Sequence, residues 1–337
     1  MSLVSILLDG DFRVASSAAS DEFAPLCFEF RQDDSLVLTI AIWEAVSPNS
    51  CRIILSHRTI TSGQRLPHFL RLVAAYHASP EFQSGQVFVN LGDAGHKPGL
   101  AFCGDTPSFT LIPDAPFIAH DAYRNTALYF DSHPIAWEKR LRMAFWRGSL
   151  TGRMIGKDWR TIHRVKLCEI TSREPPHLFD VGISGFGQFR DDEQIKAEVE
   201  AAGILRDFVP ITQAHRWRYQ IDIDGYSNAW HGLFQKLLTG SVVFKVESRY
   251  GFRQWYYDRL RPWENYVPVA SEMADLVHKL RWIIGHDDAA RRIGETGRAL
   301  AMSMTTESEL RAVISRVTCA FRDSDLQVSL SPSLKVE

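Results

Sequence analysis

The sequence lacks several signatures that would place it in a specialised class of protein. Its 337 residues hold five cysteines, and no Cys-x-x-Cys pair occurs. This argues against a zinc ribbon or a redox dithiol and favours buried free thiols in a reducing compartment. No apolar run approaches the roughly 18 residues needed to span a bilayer. The apolar stretch at 1–9 has no basic segment and no cleavage site, so it predicts a first strand rather than a signal peptide.

The chain also lacks an excess of charge of either sign. Its formal net charge is −2, which gives no electrostatic footprint for nucleic acid. A hydrophobic content of 45% and a charged content of 23% are those of a soluble globular protein. We therefore predict a cytoplasmic protein with no nucleic-acid partner and no transmembrane segment, compatible at most with peripheral membrane association.

Alternating strand and helix patterns predict an α/β protein with two domains, for which the length is sufficient. The stretch 105–135 is rich in Pro, Asp and aromatic residues, which is typical of an inter-domain passage. We predict an N-terminal α/β domain at 1–135 and a C-terminal α/β domain at 136–304. A helix at 305–322 is expected to pack back on the N-terminal domain, before a frayed tail at 323–337. The order of elements predicts two doubly wound, Rossmann-like domains facing a cleft.

The most informative local pattern runs from Tyr219 to Phe244. It predicts a strand through Ile223, a turn at Gly225, a helix capped by Ser227 or Asn228, and a second strand. A helix N-terminus that follows a strand is an anion site, because free backbone N–H groups and the helix dipole point at it. Ligands of open α/β sheets bind beyond the carboxyl ends of strands. The segment therefore predicts a pocket for a phosphate-bearing ligand, with an ordinary βαβ unit as the alternative.

Three motifs in this order resemble glycosyltransferase family 90, which includes capsule-associated xylosyltransferases, protein O-glucosyltransferases and lipopolysaccharide-modifying enzymes. They are AFWRGSLTG at 144–152, the segment 219–244, and WYYDRLRPWENYVPV at 255–269. The resemblance covers about 86–300, and the pattern is closer to bacterial-type members. It implies a GT-B fold, a UDP-sugar donor, inversion at the anomeric carbon, and no metal or other cofactor. The implied reaction moves glucose or xylose to a hydroxyl of a glycan such as lipopolysaccharide or capsule.

Inverting transfer needs a base for the acceptor hydroxyl and positive or hydrogen-bonding groups for the departing diphosphate. The stretch Val87–Asp93 resembles the family's strand-loop motif that carries the catalytic aspartate, which implies Asp93 as the base. The alternative is a turn aspartate that caps its own backbone. Asp114 is the second choice, and His96 and His120 are outside candidates more readily explained as structural.

The resemblance also implies that 1–135 is the acceptor-side domain and 136–304 the donor domain, with a donor-binding set in the latter. An arginine before an apolar helix clamps the diphosphate as a rigid fork of donors. Arg164 is the best match, with Arg153 and Arg160 as alternatives. The full set is Arg147, Gly148, Ser149, Arg164, Gly225, Tyr226, Ser227, Asn228, Ala229, Trp230, Lys236 and Glu247. Within it Glu247 is expected to accept from ribose hydroxyls, and an ion pair between strands is the alternative for Arg147.

One position departs from the family pattern. Many members have Ser-Gly-Arg-Phe where this chain has His-Gly-Leu-Phe at 231–234, so Leu233 replaces a positive side chain. Lys236 or His231 would then have to compensate. This keeps open a catalytically inactive nucleotide- or glycan-binding relative.

The triplet Asp222-Ile-Asp224 leaves a second alternative open. Residues two apart share one face of a strand, so the two carboxylates would suit a metal-dependent transferase. The resemblance implies no metal, and therefore a structural pair.

Overall fold

The computed structural model describes residues 12–15, 26–36, 38–62 and 65–330 of the chain. The strands are β1 (Phe12–Ala15), β2 (Cys27–Gln32), β3 (Ile40–Ser47), β4 (Ser50–Leu55), β5 (Gly85–Asn90), β6 (Gly99–Ala101), β7 (Phe109–Leu111), β8 (Leu141–Ser149), β9 (Phe179–Gly185), β10 (Trp217–Asp222), β11 (Val242–Val246) and β12 (Val267–Val269). The helices are α1 (His57–Ser62), α2 (Leu66–His77), α3 (Ala115–Ala119), α4 (Arg124–Ser132), α5 (His163–Ser172), α6 (Glu193–Ala201), α7 (His231–Leu238), α8 (Leu276–Gly285), α9 (Asp287–Ser303) and α10 (Thr306–Leu330). The strand predicted at 1–9 lies outside the described residues.

Contacts divide the chain into two compact units. The first comprises residues up to 119, residues 253–255 and residues from 306 onward, and the second comprises 120–252 and 256–305. The division falls between Ala119 and His120, ahead of the boundary predicted at 135. The reason is α4, which lies within the predicted passage but packs on α7 of the second unit.

The first unit is built on a seven-stranded mixed sheet in the order β1-β2-β4-β3-β5-β6-β7. The β1–β2, β3–β4 and β3–β5 pairs are antiparallel, and the other pairs are parallel. Helix α10 packs on β5 and α2, where the Phe321 ring lies 4.8 Å from Trp43 and 5.2 Å from Tyr76. The same helix continues to Leu330, so the frayed tail predicted from 323 is helical as far as that residue.

The second unit has a parallel five-stranded sheet in the order β12-β11-β10-β8-β9. Its central strand β10 is buried at every position and β11 likewise, as expected for a parallel sheet covered by helices on both faces. The predicted α/β class is confirmed, and this unit is Rossmann-like. Among the described residues, every helix is too short or too polar to cross a membrane.

Candidate functional site

The predicted donor-binding residues lie near one edge of the parallel sheet. Strands β8, β10 and β11 end at Ser149, Asp222 and Val246. Because the carboxyl ends of parallel strands meet at the same edge, the loops that follow these strands are neighbours. Side chains from separate stretches of sequence are thereby collected at this edge.

Arg164, at the start of α5, ties two of these loops together. Its Nη1 donates to Ser149 O at 3.0 Å and to Thr151 Oγ1 at 2.6 Å, and its Nε donates to Asp224 O at 3.0 Å. Burial lowers the pKa of Arg164 to about 10, although Asp222 and Asp224 oppose this, so the guanidinium stays charged at neutral pH. Its fixed fork of donors suits this bridging role.

Two glycines are required by close approaches at this edge. A Cβ atom on Gly225 would lie 3.0 Å from Arg164 Nη2 and 3.1 Å from Thr151 Oγ1. A Cβ on Gly148 would lie 2.5 Å from Cζ2 of Trp146. Gly225 does not adopt a positive φ, so the arginine that packs on it, and not the turn, explains the glycine.

Asp222, the last residue of β10, is fully buried between two lysines. Lys236 Nζ lies 2.8 Å from Oδ1 and Lys245 Nζ lies 3.8 Å from Oδ2. Burial opposes ionisation of this carboxyl, but the two ammonium groups outweigh it and hold the pKa of Asp222 below its usual range. The Asp222 charge is thus balanced by the protein's own cations.

Polar side chains in the turn after β10 are buried without full hydrogen bonding. Asp224, Ser227 and Asn228 are 8%, 1% and 2% exposed. In the described part of the chain, no well-formed hydrogen bond reaches either carboxylate oxygen of Asp224, the Ser227 hydroxyl or Asn228 Nδ2. Burial raises the pKa of Asp224 to about 6, against the lowering effect of Lys245 and Ser248 nearby. Buried polar groups normally have partners, so this cluster is a candidate ligand contact.

The helix after this turn begins later than predicted. Trp230, not Ser227 or Asn228, occupies the N-cap of α7, with φ 50° and ψ −123°. The Trp230 N–H donates to Asn228 Oδ1 at 2.6 Å. A positive φ at a bulky residue is rare, and such strain is concentrated at functional sites. Asn228 therefore shapes the turn through its side chain instead of capping the helix.

The departure at Leu233 has a structural explanation. Leu233 and Phe234 are 0% and 1% exposed and lie on the core face of α7. Lys236, a predicted substitute for the missing cation, is held by Asp222 and keeps 14% of its side chain exposed. A second cation, Lys245, lies inside the apolar strand β11 and was missed by the sequence analysis. Its signal was available, since a lysine within Val-Val-Phe-Lys-Val is exceptional in a buried strand.

Two of the predicted arginines form ion pairs with other side chains of the protein. Arg147 Nη2 lies 2.5 Å from Asp180 Oδ1, on the neighbouring strand β9. This is the inter-strand ion pair considered above as its alternative role, and binding of the donor by Arg147 remains only a prediction. Arg160 is half-exposed and pairs with Glu198 at 3.1 Å.

Arg153 has a third kind of environment. Its guanidinium carbon lies 5.4 Å from the centroid of the Tyr226 ring, 4.6 Å from Tyr250 and 4.8 Å from Phe252. The loop after β8 is thereby linked to the turn after β10 and to the loop after β11 by cation–π contacts. Glu247, in the last of these loops, is exposed.

The first unit contains the predicted base. Asp93 follows β5 on a loop held by the buried Asn90, whose Oδ1 accepts from the backbone N–H groups of His96 and Lys97. The Asp93 side chain is 48% exposed and lies 2.5 Å from Arg65 Nη2. It is therefore an oriented, accessible carboxylate.

The contacts and exposure of the other candidates for the catalytic base do not indicate a catalytic role. Asp114 is 1% exposed, and its oxygens accept from Phe117 N at 2.8 Å and from Gln254 Nε2 at 2.5 Å. Burial raises the pKa of Asp114 to about 7. It caps α3 and joins 253–255 to the first unit. His96 is exposed, and His120 stacks on Tyr123 at 5.8 Å.

Comparison with known proteins identifies relatives. The model of the family described as Glycosyl transferase family 90 matches residues 117–309, more than half of the chain. Protein O-glucosyltransferase 3 of Rattus norvegicus is 27% identical over 69% of this chain and 45% of its own length. Protein O-glucosyltransferase 2 of Danio rerio is 32% identical over 64% of this chain and 43% of its own length. This chain thus spans less than half the length of these two curated relatives.

Solved structures were compared in the same way. TarM matches with a TM-score of 0.37 and 12% identity, over 54% of this chain and 35% of its own. Anabaena HepE in complex with UDP-glucose matches with a TM-score of 0.35 and 10% identity, over 61% of this chain and 53% of its own. At these scores the likenesses are too distant to assign any residue a role.

Proposed function

We propose, on the premise that this chain belongs to glycosyltransferase family 90, that it transfers a sugar from a UDP-sugar to a hydroxyl of a glycan acceptor. The family carries the GT-B fold expected from the sequence, and the parallel sheet of the second unit is its donor-binding part in this proposal.

The observation that carries the proposal is the chemistry at the carboxyl edge of the parallel sheet. Within the part of the chain that the structure describes, three cations, Arg164, Lys236 and Lys245, face two carboxyl groups, Asp222 and Asp224. This excess of positive charge complements a diphosphate, and low-polarity surroundings strengthen the attraction. Among the described residues, the Ser227 hydroxyl and Asn228 Nδ2 beside it have no hydrogen-bond partner and can supply further hydrogen bonds.

In the proposed reaction Asp93 accepts the proton of the acceptor hydroxyl. The hydroxyl oxygen bonds to the anomeric carbon from the face opposite the phosphate, so the configuration inverts. The bond from that carbon to the phosphate oxygen breaks, and UDP departs with the negative charge. Arg65 orients the Asp93 carboxylate, and the cationic cluster stabilises the developing charge on UDP.

The proposed reaction uses no metal ion. A divalent ion between Asp222 and Asp224 would have to displace the lysines that already neutralise Asp222. The protein's own ammonium and guanidinium groups take the role that a metal has in metal-dependent transferases. We therefore favour the metal-independent transferase over the alternative that uses both aspartates as ligands.

Glucose is the first donor sugar to test, because several relatives are named as O-glucosyltransferases, and xylose is the second. The lipopolysaccharide or capsule acceptor and the cytoplasmic location predicted from the sequence remain predictions. The buried Leu233 leaves the positive charge to Lys236 and Lys245, and an active enzyme is therefore proposed over an inactive relative.

The test is UDP release from a panel of UDP-sugars, with and without EDTA. We expect turnover with UDP-glucose or UDP-xylose and no change on adding EDTA. Loss of turnover with EDTA, restored by Mg²⁺ or Mn²⁺, would support the Asp222–Asp224 metal alternative. UDP binding by calorimetry without turnover of any donor, tested with lipopolysaccharide core and capsule oligosaccharides, would support the inactive relative.

A further inference from the structure

A groove in the second unit lies apart from the donor-binding edge. Its volume is about 690 Å³. It is lined chiefly by Trp263, Glu264, His278, Trp282, Arg292 and Thr296. Strand β12 is at the end of the strand order, and the turn that contains Trp263 leads into its amino end. The donor-binding loops follow the carboxyl ends of strands, so this groove is a separate feature.

Two tryptophans give the groove its character. Trp263 and Trp282 are each 41% exposed. Their ring centroids lie 5.3 Å apart at an angle of 81°, and Trp282 is backed by His286, stacked at 4.0 Å. Large aromatic rings favour burial, so two such rings held half-exposed in one groove mark an interaction surface.

Trp263 is held in position by a braced turn. Its φ is 63°, a left-handed conformation that is a genuine outlier for a bulky residue. The buried Asn265 fixes the turn, since its Oδ1 accepts from Arg261 N at 2.9 Å and its Nδ2 donates to Arg259 O at 3.2 Å. Backbone strain of this kind persists only where the surroundings enforce it, and it is typical of ligand sites.

Polar groups of complementary types surround the rings. Glu264, His278 and Arg292 are exposed, and their side chains make no hydrogen bond or ion pair with the described residues. A carboxylate offers only acceptors, a guanidinium offers only donors, and an imidazole offers either. Flat apolar faces beside mixed donors and acceptors match a pyranose ring, whose C–H face is apolar and whose hydroxyls both donate and accept.

We propose that this groove binds a pyranose glycan chain, with the pair formed by Trp263 and Trp282 packing against its sugar rings, as a site separate from the donor-binding edge. Lys279 also lines the groove but is paired with Asp275 at 2.6 Å, so Glu264 and Arg292 balance each other. A groove without excess charge disfavours an anionic polymer, and its charged rim disfavours a lipid surface. The choice of a glycan rests partly on the proposed function, because a transferase with a glycan acceptor meets such chains. The site would hold the acceptor polymer near the enzyme between transfers.

The test is calorimetric titration of the full chain with cellohexaose, maltohexaose, xylohexaose and chitohexaose, without UDP-sugar. We expect at least one of them to bind, and Trp263→Ala and Trp282→Ala each to weaken that binding at least tenfold. Phe208→Ala removes an aromatic ring that is 73% exposed outside the groove and is the matched control, with no expected change. Trp263→Asn, which tolerates the left-handed conformation, should lose binding without a lower melting temperature, which separates binding from folding.

Several outcomes would overturn the inference. These are binding of no oligosaccharide, equal binding by the tryptophan variants, or a groove that instead mediates self-association in sedimentation or binding to phosphatidylcholine vesicles. Failure here is distinguishable from failure of the proposed function. Turnover of a UDP-sugar without tryptophan-dependent glycan binding rejects only the groove, whereas such binding without any turnover rejects only the transferase.

Discussion

The loop that contains Asp93 and the turn that contains Asp224 have similar sequences and opposite environments. Each places an aspartate beside a glycine after the end of a strand. Asp93 is 48% exposed and paired with Arg65, whereas Asp224 is 8% exposed and its pKa is raised by burial to about 6. Position after a strand brings both aspartates to a loop, but burial leaves one carboxylate accessible to solvent and encloses the other.

The largest expected effect is on turnover, when the exposed aspartate Asp93 is changed. Asp93→Asn removes the proposed base while keeping its size, so turnover in the UDP-release assay should fall by about 10²- to 10⁴-fold. UDP binding, measured by calorimetry, should persist. Asp191→Asn changes another exposed aspartate and should leave turnover unchanged. Full activity in the Asp93 variant would reject this residue as the base.

The second prediction concerns the buried carboxylate of Asp222 and the two lysines that neutralise it. Asp222→Asn removes the carboxylate between Lys236 and Lys245, and breaking a buried pair costs about 3–5 kcal/mol of unfolding free energy. Urea denaturation measures this. Arg311→Met removes the exposed pair with Glu307, whose side chains are 77% and 81% exposed, and should cost at most about 0.5 kcal/mol. Equal effects of the two changes would show that the Asp222 pair is no stronger than a surface pair.

The third prediction separates two arginines that the sequence could not distinguish. Arg164→Lys cannot reproduce the fork to Ser149 O, Thr151 Oγ1 and Asp224 O, and should cost about 2 kcal/mol, because buried acceptors lose partners. UDP affinity should fall as well, because the loops after β8 and β10 lose the hydrogen bonds from Arg164 that connect them. Arg160→Lys, at a side chain that is 53% exposed, should change either quantity little. If Arg160→Lys lowered UDP affinity more than Arg164→Lys, Arg160 and not Arg164 would be the arginine that supports diphosphate binding.

The smallest effect expected is a dependence of stability on pH. Because the folded pKa of Asp224 is about 6 and the unfolded value is about 3.9, the unfolded state releases this proton first as pH rises. Asp224 therefore destabilises the fold progressively between about pH 4 and pH 6, by at most about 2–3 kcal/mol. Asp224→Asn should remove this loss, so its unfolding free energy relative to the native chain should improve from pH 4 to pH 7.

The matched measurement uses Ser227→Ala, which changes a buried polar side chain of the same turn without removing an ionisable group, so no pH-dependent difference is expected. If both variants follow the same pH profile, the pH dependence of stability does not come from the Asp224 carboxyl. Thermal unfolding monitored by circular dichroism at closely spaced pH values would resolve the two profiles.

Prediction from sequence succeeded where residues next to each other in the chain carried the information. The strand–turn–helix–strand order from Tyr219 to Phe244 is observed as β10, α7 and β11, because its apolar spacing and its glycines are local signals. The start of α7 was wrong, because Asn228 bonds to the N–H of Trp230 and delays the helix. The division between the units was also misplaced, because the contact of α4 with α7 joins residues far apart in the sequence.

The sequence by itself determined the α/β class, the order of the main elements and the family, since periodicity and ordered motifs are properties of the chain. Only the tertiary structure decided what each polar residue faces. It paired Arg147 with Asp180 and directed Arg164 to three loop acceptors. It also placed Lys245 beside Asp222 and left Asp224 buried. The physical reason is that charge and hydrogen-bond balance depend on neighbours in space, which parallel strands bring together from distant parts of the chain.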